Sequence, residues 1–149
     1  MNEEPLRDLN ALGGSFCVYG MEEYDISTEY EQMALEIMQE REELQWLRNV
    51  KIGFLASTKE KKSKKRAVLG ECIKVQDVYR AFMPYDFIIV MYERNMAGMS
   101  DYQKRIVMHH ELLHIGMDES DGEPKYEVIP HDIEDFKAII DEYGLNWQR

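Results

Sequence analysis

Residues 110 to 114 read His110-Glu111-Leu112-Leu113-His114, a His-Glu-x-x-His pattern with two imidazoles and one carboxylate close together. On a helix, residues i and i+4 lie one turn apart on the same face, so His110 and His114 can bind one metal ion together. A helix advances about 100° per residue, which places Glu111 beside that face, near a water molecule on the metal. The pattern therefore predicts a zinc site with His110 and His114 as metal ligands and Glu111 as the catalytic general base.

A catalytic zinc ion usually has three protein ligands and keeps one position open for water. Our candidate for the third ligand is His131, which follows Pro130 and precedes the last predicted helix. The rigid proline and the helix start would hold this side chain in place. A carboxylate is the alternative, because an acid and two histidines also form a catalytic zinc site. The acidic candidates are Glu119, Asp132 and Glu134.

The pattern needs a helix, and the surrounding residues predict one from about residue 101 to residue 116. Ser100 and Gln103 have the spacing of a capping box, and Gly116 is a plausible end. His109 must point about 100° away from its neighbour His110, so we expect a surface residue or a support for the ligands. The apolar face of this helix is predicted to comprise Tyr102, Ile106, Val107 and Leu113.

Two further helices and three strands are predicted. Apolar spacing indicates a helix over about 29–48, and Thr28 and Glu31 have capping-box spacing at its start. A short helix is predicted from about Asp132 to Tyr143. A polar, acidic loop is expected over 117–130. Residues rich in β-formers predict strands at 50–56, 67–75 and 87–92. The last strand is apolar throughout, which indicates burial on both faces or an apolar groove on its outer side.

These elements predict a single compact α+β domain. Its small, mostly antiparallel sheet of about three strands packs against the N-terminal helix and the helix of the His-Glu-x-x-His pattern, with a short C-terminal helix. With 149 residues, 44% of them hydrophobic, the chain can form one real core. We assign residues 1–23 to an N-terminal arm and residues 24–149 to the domain.

The charge indicates which partners the protein can bind, and the cysteine content indicates its redox compartment. A net charge of −11 disfavours general affinity for nucleic acids or anionic membranes, and favours a soluble monomer or small oligomer. Two cysteines, Cys17 and Cys72, are too few for a disulfide framework and suit a reducing compartment. Because the sequence has no secretory signal and its longest apolar run is 87–92, we expect a cytoplasmic protein without a membrane span.

One segment departs from this acidic character. Residues 59–66 carry six lysines and arginines and a single glutamate, a local charge of +5. A solvated loop between two antiparallel strands explains this run without a function. The alternative is a contact with phosphates, so nucleic acid is a possible partner only through this loop. The basic residues are Lys59, Lys61, Lys62, Lys64, Lys65 and Arg66.

Three runs together resemble the putative phage metallopeptidase family, which occurs in phages and in bacterial genomes that carry prophages. They are 84–90, 110–114 and 130–136. The resemblance covers residues 24 to 147, and the chain is more remotely similar to SprT-like and other minimal zincins, including gluzincin-like ones. It implies a compact zincin core with one zinc ion per chain on His110, His114 and His131, and Glu111 as the catalytic acid/base.

The sequence therefore predicts a zinc-dependent metallopeptidase, an endopeptidase that acts on peptide or protein substrates. Tyr126 and Tyr143 are candidates for stabilising the oxyanion, and an extended substrate could pair with an edge strand, either 67–75 or 86–92. Two alternatives stay open. One is a zincin fold that binds or assembles without turnover, and the other is a nucleic-acid-associated, SprT-like protease that uses the Lys59–Arg66 loop.

Overall fold

The computed structural model describes residues 23–130 and 142–143. It confirms the predicted α+β class: two α-helices lie on one face of a mixed four-stranded sheet, and two short hairpins complete this part of the chain. The predicted arm lies outside the described residues except for residue 23. The predicted last helix also lies outside them, except for residues 142 and 143, which are helical.

The predicted helix over 29–48 is two helical segments. Helix α1 (Thr28–Glu40) begins at Ser27, whose hydroxyl accepts a hydrogen bond from the Tyr30 amide. It ends at Arg41, which has extended backbone angles (φ −123°, ψ 115°), and a 3-10 helix (Glu42–Asn49) follows. The prediction of one continuous helix was therefore wrong. Leu44 and Leu47 follow this break and are both buried, so the apolar spacing still predicted these core residues correctly.

The strands form one principal sheet with the order β1-β2-β6-β5. Strand β2 runs parallel to β6, whereas β1 pairs antiparallel with β2 and β5 pairs antiparallel with β6. The prediction of a mostly antiparallel sheet holds, with four strands instead of three. The strands in chain order are β1 (Tyr24–Ile26), β2 (Ile52–Ser57), β3 (Lys62–Ser63), β4 (Arg66–Ala67), β5 (Gly70–Lys74) and β6 (Phe87–Tyr92).

Strand β6 lies between β2 and β5, which corrects one prediction. Residues 86–92 were a candidate for an exposed edge, but both edges of this strand are paired within the sheet. Burial on both faces and an apolar groove on the outer side were the predicted alternatives, and the outer face combines them, since Val90 and Tyr92 are buried. Phe87 and Ile89 belong to the core under the helices, while Ile88 lines a groove of about 340 Å³ on the other face, together with Leu55 and Phe82.

Asp86 fixes the start of the parallel pair. Its carboxylate accepts a hydrogen bond from the Lys51 amide at 3.0 Å and lies 2.5 Å from the Arg80 guanidinium. The Asp86 amide in turn donates to the Lys51 carbonyl at 2.7 Å. Asp86 is only 5% exposed, so these partners compensate the cost of burying its charge. The contacts set the register in which Ile52 faces Phe87.

We predict that Asp86→Ala lowers the free energy of unfolding by about 2–3 kcal/mol, because it leaves the Lys51 amide and Arg80 without their charged partner. Chemical denaturation measures the difference. Asp77→Ala is the matched control: Asp77 also faces Arg80, at 3.9 Å, but its side chain is 88% exposed. We expect the control to change stability by less than about 0.5 kcal/mol. Equal losses in the two variants would refute the role of Asp86.

The basic run contains a hairpin, made of β3, β4 and the two residues between them. Ser63 pairs with Arg66, so Lys64 and Lys65 form a two-residue turn. Both have left-handed backbone angles, with φ of 52° and 66°. A type I′ turn requires such angles at both positions, and each costs a residue other than glycine about 1 kcal/mol. We call residues 62–67 the basic hairpin.

Helix α2 (Asp101–Leu112) begins as predicted, with a complete capping box between Ser100 and Gln103. The predicted end at Gly116 was wrong, because the helix stops four residues earlier. The His114 amide donates to the Glu111 carbonyl in a tightened last turn, and the His114 carbonyl accepts from the Ile129 amide at 2.6 Å.

The chain after α2 is a β-hairpin over much of the segment that was predicted to be a loop. Strands β7 (Ile115–Asp118) and β8 (Lys125–Val128) pair antiparallel, so Gly116 lies in a strand. The hairpin returns the chain to the end of α2. Neither α-helix in the described part of the chain is long and apolar enough to cross a membrane.

Candidate metal centre

Three side chains with metal-binding chemistry converge at the end of α2. His110 and Glu111 lie in its last turn, and His114 lies in the turn that follows. One potential ligand atom from each lies within 4.8 Å of the others, and the two imidazole ring centroids are 5.1 Å apart. Glu111 is buried and both histidines are half-buried. The structure thus brings together three of the four predicted site residues, and the fourth, His131, lies outside the described residues.

The donor set of this group fits a transition metal. The two imidazole nitrogens are ligands that zinc and its neighbours accept, whereas calcium and magnesium prefer oxygen ligands alone. The Glu111 carboxylate beside them can bind the ion or face a water molecule on it. Ligands about 2.1 Å from a tetrahedral ion lie roughly 3.4 Å apart. Atoms within 4.8 Å of one another therefore need only small side-chain adjustments to bind one ion. The group can hold a metal.

His114 is oriented by the backbone of the β7–β8 hairpin. Its Nδ1 lies 2.6 Å from the Ile129 carbonyl oxygen, so Nδ1–H donates and the lone pair of the neutral ring lies on Nε2. A hydrogen bond of this kind fixes both the tautomer and the ring direction of metal-binding histidines. Nothing in the sequence predicts this role of Ile129, because a backbone carbonyl produces no sequence pattern.

Glu111 lies against the first residue of β5. A Cβ atom added to Gly70 would lie 3.0 Å from Glu111 Cγ and 3.2 Å from Glu111 Oε2, closer than such atoms normally approach. A larger residue here requires the Glu111 side chain to shift by a few tenths of an ångström. The sequence did hold a signal for this contact, since an isolated glycine in a strand pattern often marks a close approach.

Cys72 lies on the same strand, near Glu111. Burial raises the pKa of the Cys72 thiol, and the negative charges of Glu111 and Glu71 raise it further. The thiol therefore stays protonated at neutral pH, and a thiol must lose its proton to become a strong nucleophile. This environment favours a role for Cys72 in packing and disfavours a cysteine nucleophile.

His109 is buried, with 4% of its surface exposed, so the expectation of a surface residue is excluded. Its Nδ1 lies 3.2 Å from the Tyr143 hydroxyl, and the two rings pack edge to face. Burial and the positive charge of Arg41 lower the pKa of His109 to about 4, which keeps the ring neutral at pH 7. His109 supports α2 from a face about 100° away from His110.

The candidates for stabilising the oxyanion and for a carboxylate ligand are not among the three residues of the metal-binding group. Tyr143 contacts His109, and its hydroxyl accepts a hydrogen bond from Arg41. The Tyr126 ring packs edge-on against Phe87, with centroids 5.6 Å apart. Glu119 follows β7 at the tip of the hairpin, roughly 13 Å from Ile115 at 3.3 Å per strand residue. It is outside the metal-binding group, while Asp132 and Glu134 lie outside the described residues.

A helix that ends in His110 and the buried Glu111, with His114 in the turn that follows, lies against the edge of a mixed sheet. This arrangement defines the class, a small α+β domain with a metal-binding group. The sequence matches the model of the family described as "Putative phage metallopeptidase" over residues 22–149. The chain belongs to this family, which confirms the resemblance and makes it a member of a protease family. Comparisons with curated proteins and with solved structures gave no match.

We predict that Gly116→Ala weakens metal binding by about tenfold or more, the usual effect of disturbing a partner of a metal-binding histidine. A Cβ at this position would lie 2.5 Å from Ile129 Cδ1, so the Ile129 side chain must shift, and we expect this shift to disturb the carbonyl that orients His114. Competition with a chelator measures the affinity.

The double variant Gly116→Ala/Ile129→Ala separates this effect from a general loss of structure. It removes the side chain that the new Cβ would meet, and it keeps the Ile129 backbone carbonyl. We expect the double variant to regain most of the affinity, with Ile129→Ala alone as the reference. Unchanged affinity in Gly116→Ala would contradict the proposed orientation of His114.

Proposed function

We propose that this protein is a zinc-dependent endopeptidase. The observation that carries the proposal is the convergence of His110, Glu111 and His114 beside the edge strand of the sheet, in a chain of a metallopeptidase family. Two imidazoles, one of them held as its Nδ1–H tautomer, provide the nitrogen ligands that zinc favours. Peptide or protein is the corresponding substrate.

We propose His131 as the third zinc ligand, with one zinc ion per chain. Ile129 is hydrogen-bonded to His114 through both its amide and its carbonyl. Two residues of chain span at most about 7 Å, so covalent geometry keeps the His131 backbone within reach of the same site. Glu119 is a poorer candidate because it lies at the far tip of the β7–β8 hairpin.

Glu111 acts as the general base in this proposal. A bound zinc ion would supply Lewis acidity, which polarises the substrate carbonyl and lowers the pKa of a bound water molecule. Glu111 accepts the proton of the attacking water and returns it to the leaving amine. Its carboxylate is buried against Gly70, and this close packing limits its movement.

The peptide would bind along the outer edge of β5. This strand is at the edge of the sheet, and its first residue, Gly70, touches Glu111. A peptide paired with this edge through main-chain hydrogen bonds would therefore pass the general base. Main-chain pairing of this kind accepts many sequences, so side-chain preferences must come from neighbouring groups.

We predict that full-length protein loaded with zinc cleaves fluorescently quenched casein and contains about one zinc ion per chain. Glu111→Gln should lower the cleavage rate by at least about a hundredfold and retain zinc, since only the proton transfer is lost. His131→Ala should lose zinc as well as activity. Metal analysis of the purified protein and the initial rates of cleavage test this.

Glu119→Gln is the matched control, because it makes the same change at an exposed acid, and it should leave both quantities unchanged. Absence of zinc after metal-replete expression would refute the proposal. Equal activity of Glu111→Gln and wild type would show that the observed cleavage does not use this site. It would favour the alternative of a zincin fold that binds or assembles without turnover.

We further predict that Gly70→Ala lowers kcat by about tenfold or more while zinc stays bound, because the new Cβ would displace the Glu111 carboxylate. Gly53→Ala is the control within the same sheet. A Cβ at residue 53 meets Tyr85 at an ordinary 3.4 Å. If the two variants retain the same kcat, the contact between Gly70 and Glu111 does not position the base.

A further inference from the structure

We infer that the basic hairpin selects peptide substrates with acidic residues close to the scissile bond. This inference rests on the proposed peptidase function and adds a substrate class to it. It follows from three features of the described chain: the position of the hairpin beside the site, the sign of its charge, and its unfavourable backbone conformation.

The hairpin shortly precedes Gly70, the residue of β5 that touches Glu111, along the chain. Arg66 in β4 and Gly70 in β5 are four residues apart, so at most about 14 Å of chain separates the hairpin from the residue that touches Glu111. The base of the hairpin is well anchored. The Asn95 side-chain amide donates to the carbonyls of Lys61 and Val68 at 2.8 Å each, and the Val68 amide donates to the Lys61 carbonyl.

The hairpin continues the edge on which the substrate would lie. Strand β5 follows β4 after two residues, and the Leu69 carbonyl between them accepts a hydrogen bond from the Tyr92 amide at 3.0 Å. A peptide that pairs with β5 and extends past Gly70 therefore runs toward the hairpin. Its side chains on that side of the scissile bond come closest to the lysines.

The charge of the hairpin is opposite to that of the protein. Lys62, Lys64 and Lys65 are exposed, Arg66 adds a fourth positive charge, and the whole chain has a net charge of −11. The Debye length is about 8 Å at physiological ionic strength, so this positive charge acts mainly on groups that come close to the hairpin. A carboxylate close to the hairpin is therefore attracted, whereas the net negative charge of the chain opposes anions in general.

The backbone of the turn indicates that lysine at its tip has a role besides turn formation. Asparagine and glycine are the residues that favour left-handed angles in a two-residue hairpin, yet Lys64 and Lys65 hold both positions. The chain thus keeps two charges where uncharged residues would fit the turn better. An unfavourable conformation of this kind is often retained at functional sites.

An acidic peptide suits this surface better than a nucleic acid. The basic surface is one short hairpin, and a long polyanion that bound there would also meet the acidic surface of a chain with a net charge of −11. A few carboxylates on a bound peptide would meet the hairpin alone. The adjoining group also has the chemistry of peptide hydrolysis.

The test uses two fluorescently quenched peptide libraries with the same randomised core. One carries glutamate at three positions on each side of the core, and the other carries glutamine there. We expect full-length, zinc-loaded protein to show a kcat/KM roughly three- to tenfold higher for the glutamate library, with the ratio falling toward one as salt is added.

The variant Lys64→Asn/Lys65→Gly removes two charges and supplies the residues that the turn prefers. We expect this variant to be at least as stable as wild type, to cleave the glutamine library equally well, and to lose most of the preference for glutamate. The control, Arg48→Gln/Lys51→Gln, removes the same charge at the other end of the sheet, where β2 begins opposite Phe87. It should keep the preference.

Several outcomes would overturn the inference. They are an unchanged glutamate preference in the hairpin variant, an equal loss in the control, or loss of oligonucleotide binding in the hairpin variant without any effect on the peptide ratio. Fluorescence anisotropy of the glutamate and glutamine peptides on zinc-loaded Glu111→Gln protein measures the preference without turnover. If neither library is cleaved, the peptidase proposal fails, and equal binding of the two peptides separately refutes the selectivity of the hairpin.

Discussion

The close contact between α2 and the edge of the sheet is the constraint on which the site depends. Glu111 is buried against Gly70, and on the same helix Val107, Met108 and Leu112 are buried in the core. These apolar residues fix the rotation of the helix, because each loses its contacts if the helix turns. The rotation that buries them also places Glu111 against Gly70, the first residue of β5. Packing of the core therefore also fixes the position of Glu111 in the site.

A second constraint comes from the β7–β8 hairpin. Helix α2 ends before His114, so the helix alone does not determine the direction of that imidazole. The hairpin returns the chain to this point, and the Ile129 carbonyl holds Nδ1 of the ring. Its backbone thus supplies the orientation that a longer helix would otherwise provide. The site depends on a strand pairing as much as on the helix that carries its motif.

The features that the sequence predicted correctly depend on residues close together in the chain. The capping box at Ser100 and the apolar run of β6 are both local patterns, and the His-Glu-x-x-His spacing brings its three side chains together whether or not the helix reaches His114. The three residues of the metal-binding group could therefore be predicted to lie together while the helix end was misplaced. The role of His131, in contrast, stays a prediction from the sequence.

The features that the sequence did not predict depend on contacts between distant residues. The parallel pairing of β2 with β6 is fixed by Asp86 and Lys51, 35 residues apart. The break at Arg41 accompanies contacts with Glu142 and Tyr143, about a hundred residues away. No local pattern contains such information. Hydrophobic spacing reports which residues are buried, but it does not report which strands become neighbours.

Several locally unfavourable choices in the described chain lie at or near the residues that contact the candidate metal centre. Glycine weakens a strand by about 0.5–1 kcal/mol, yet Gly70 and Gly116 both lie in strands, where each leaves room for a contact that positions Glu111 or His114. Lys64 and Lys65 hold left-handed positions in the adjoining hairpin. Departures from local preference are expected where function requires them, since stability elsewhere in the fold offsets their cost. Two residues separate the hairpin from Gly70 and its exposed lysines contribute nothing to the core, so their charge is what a role beside the site would use.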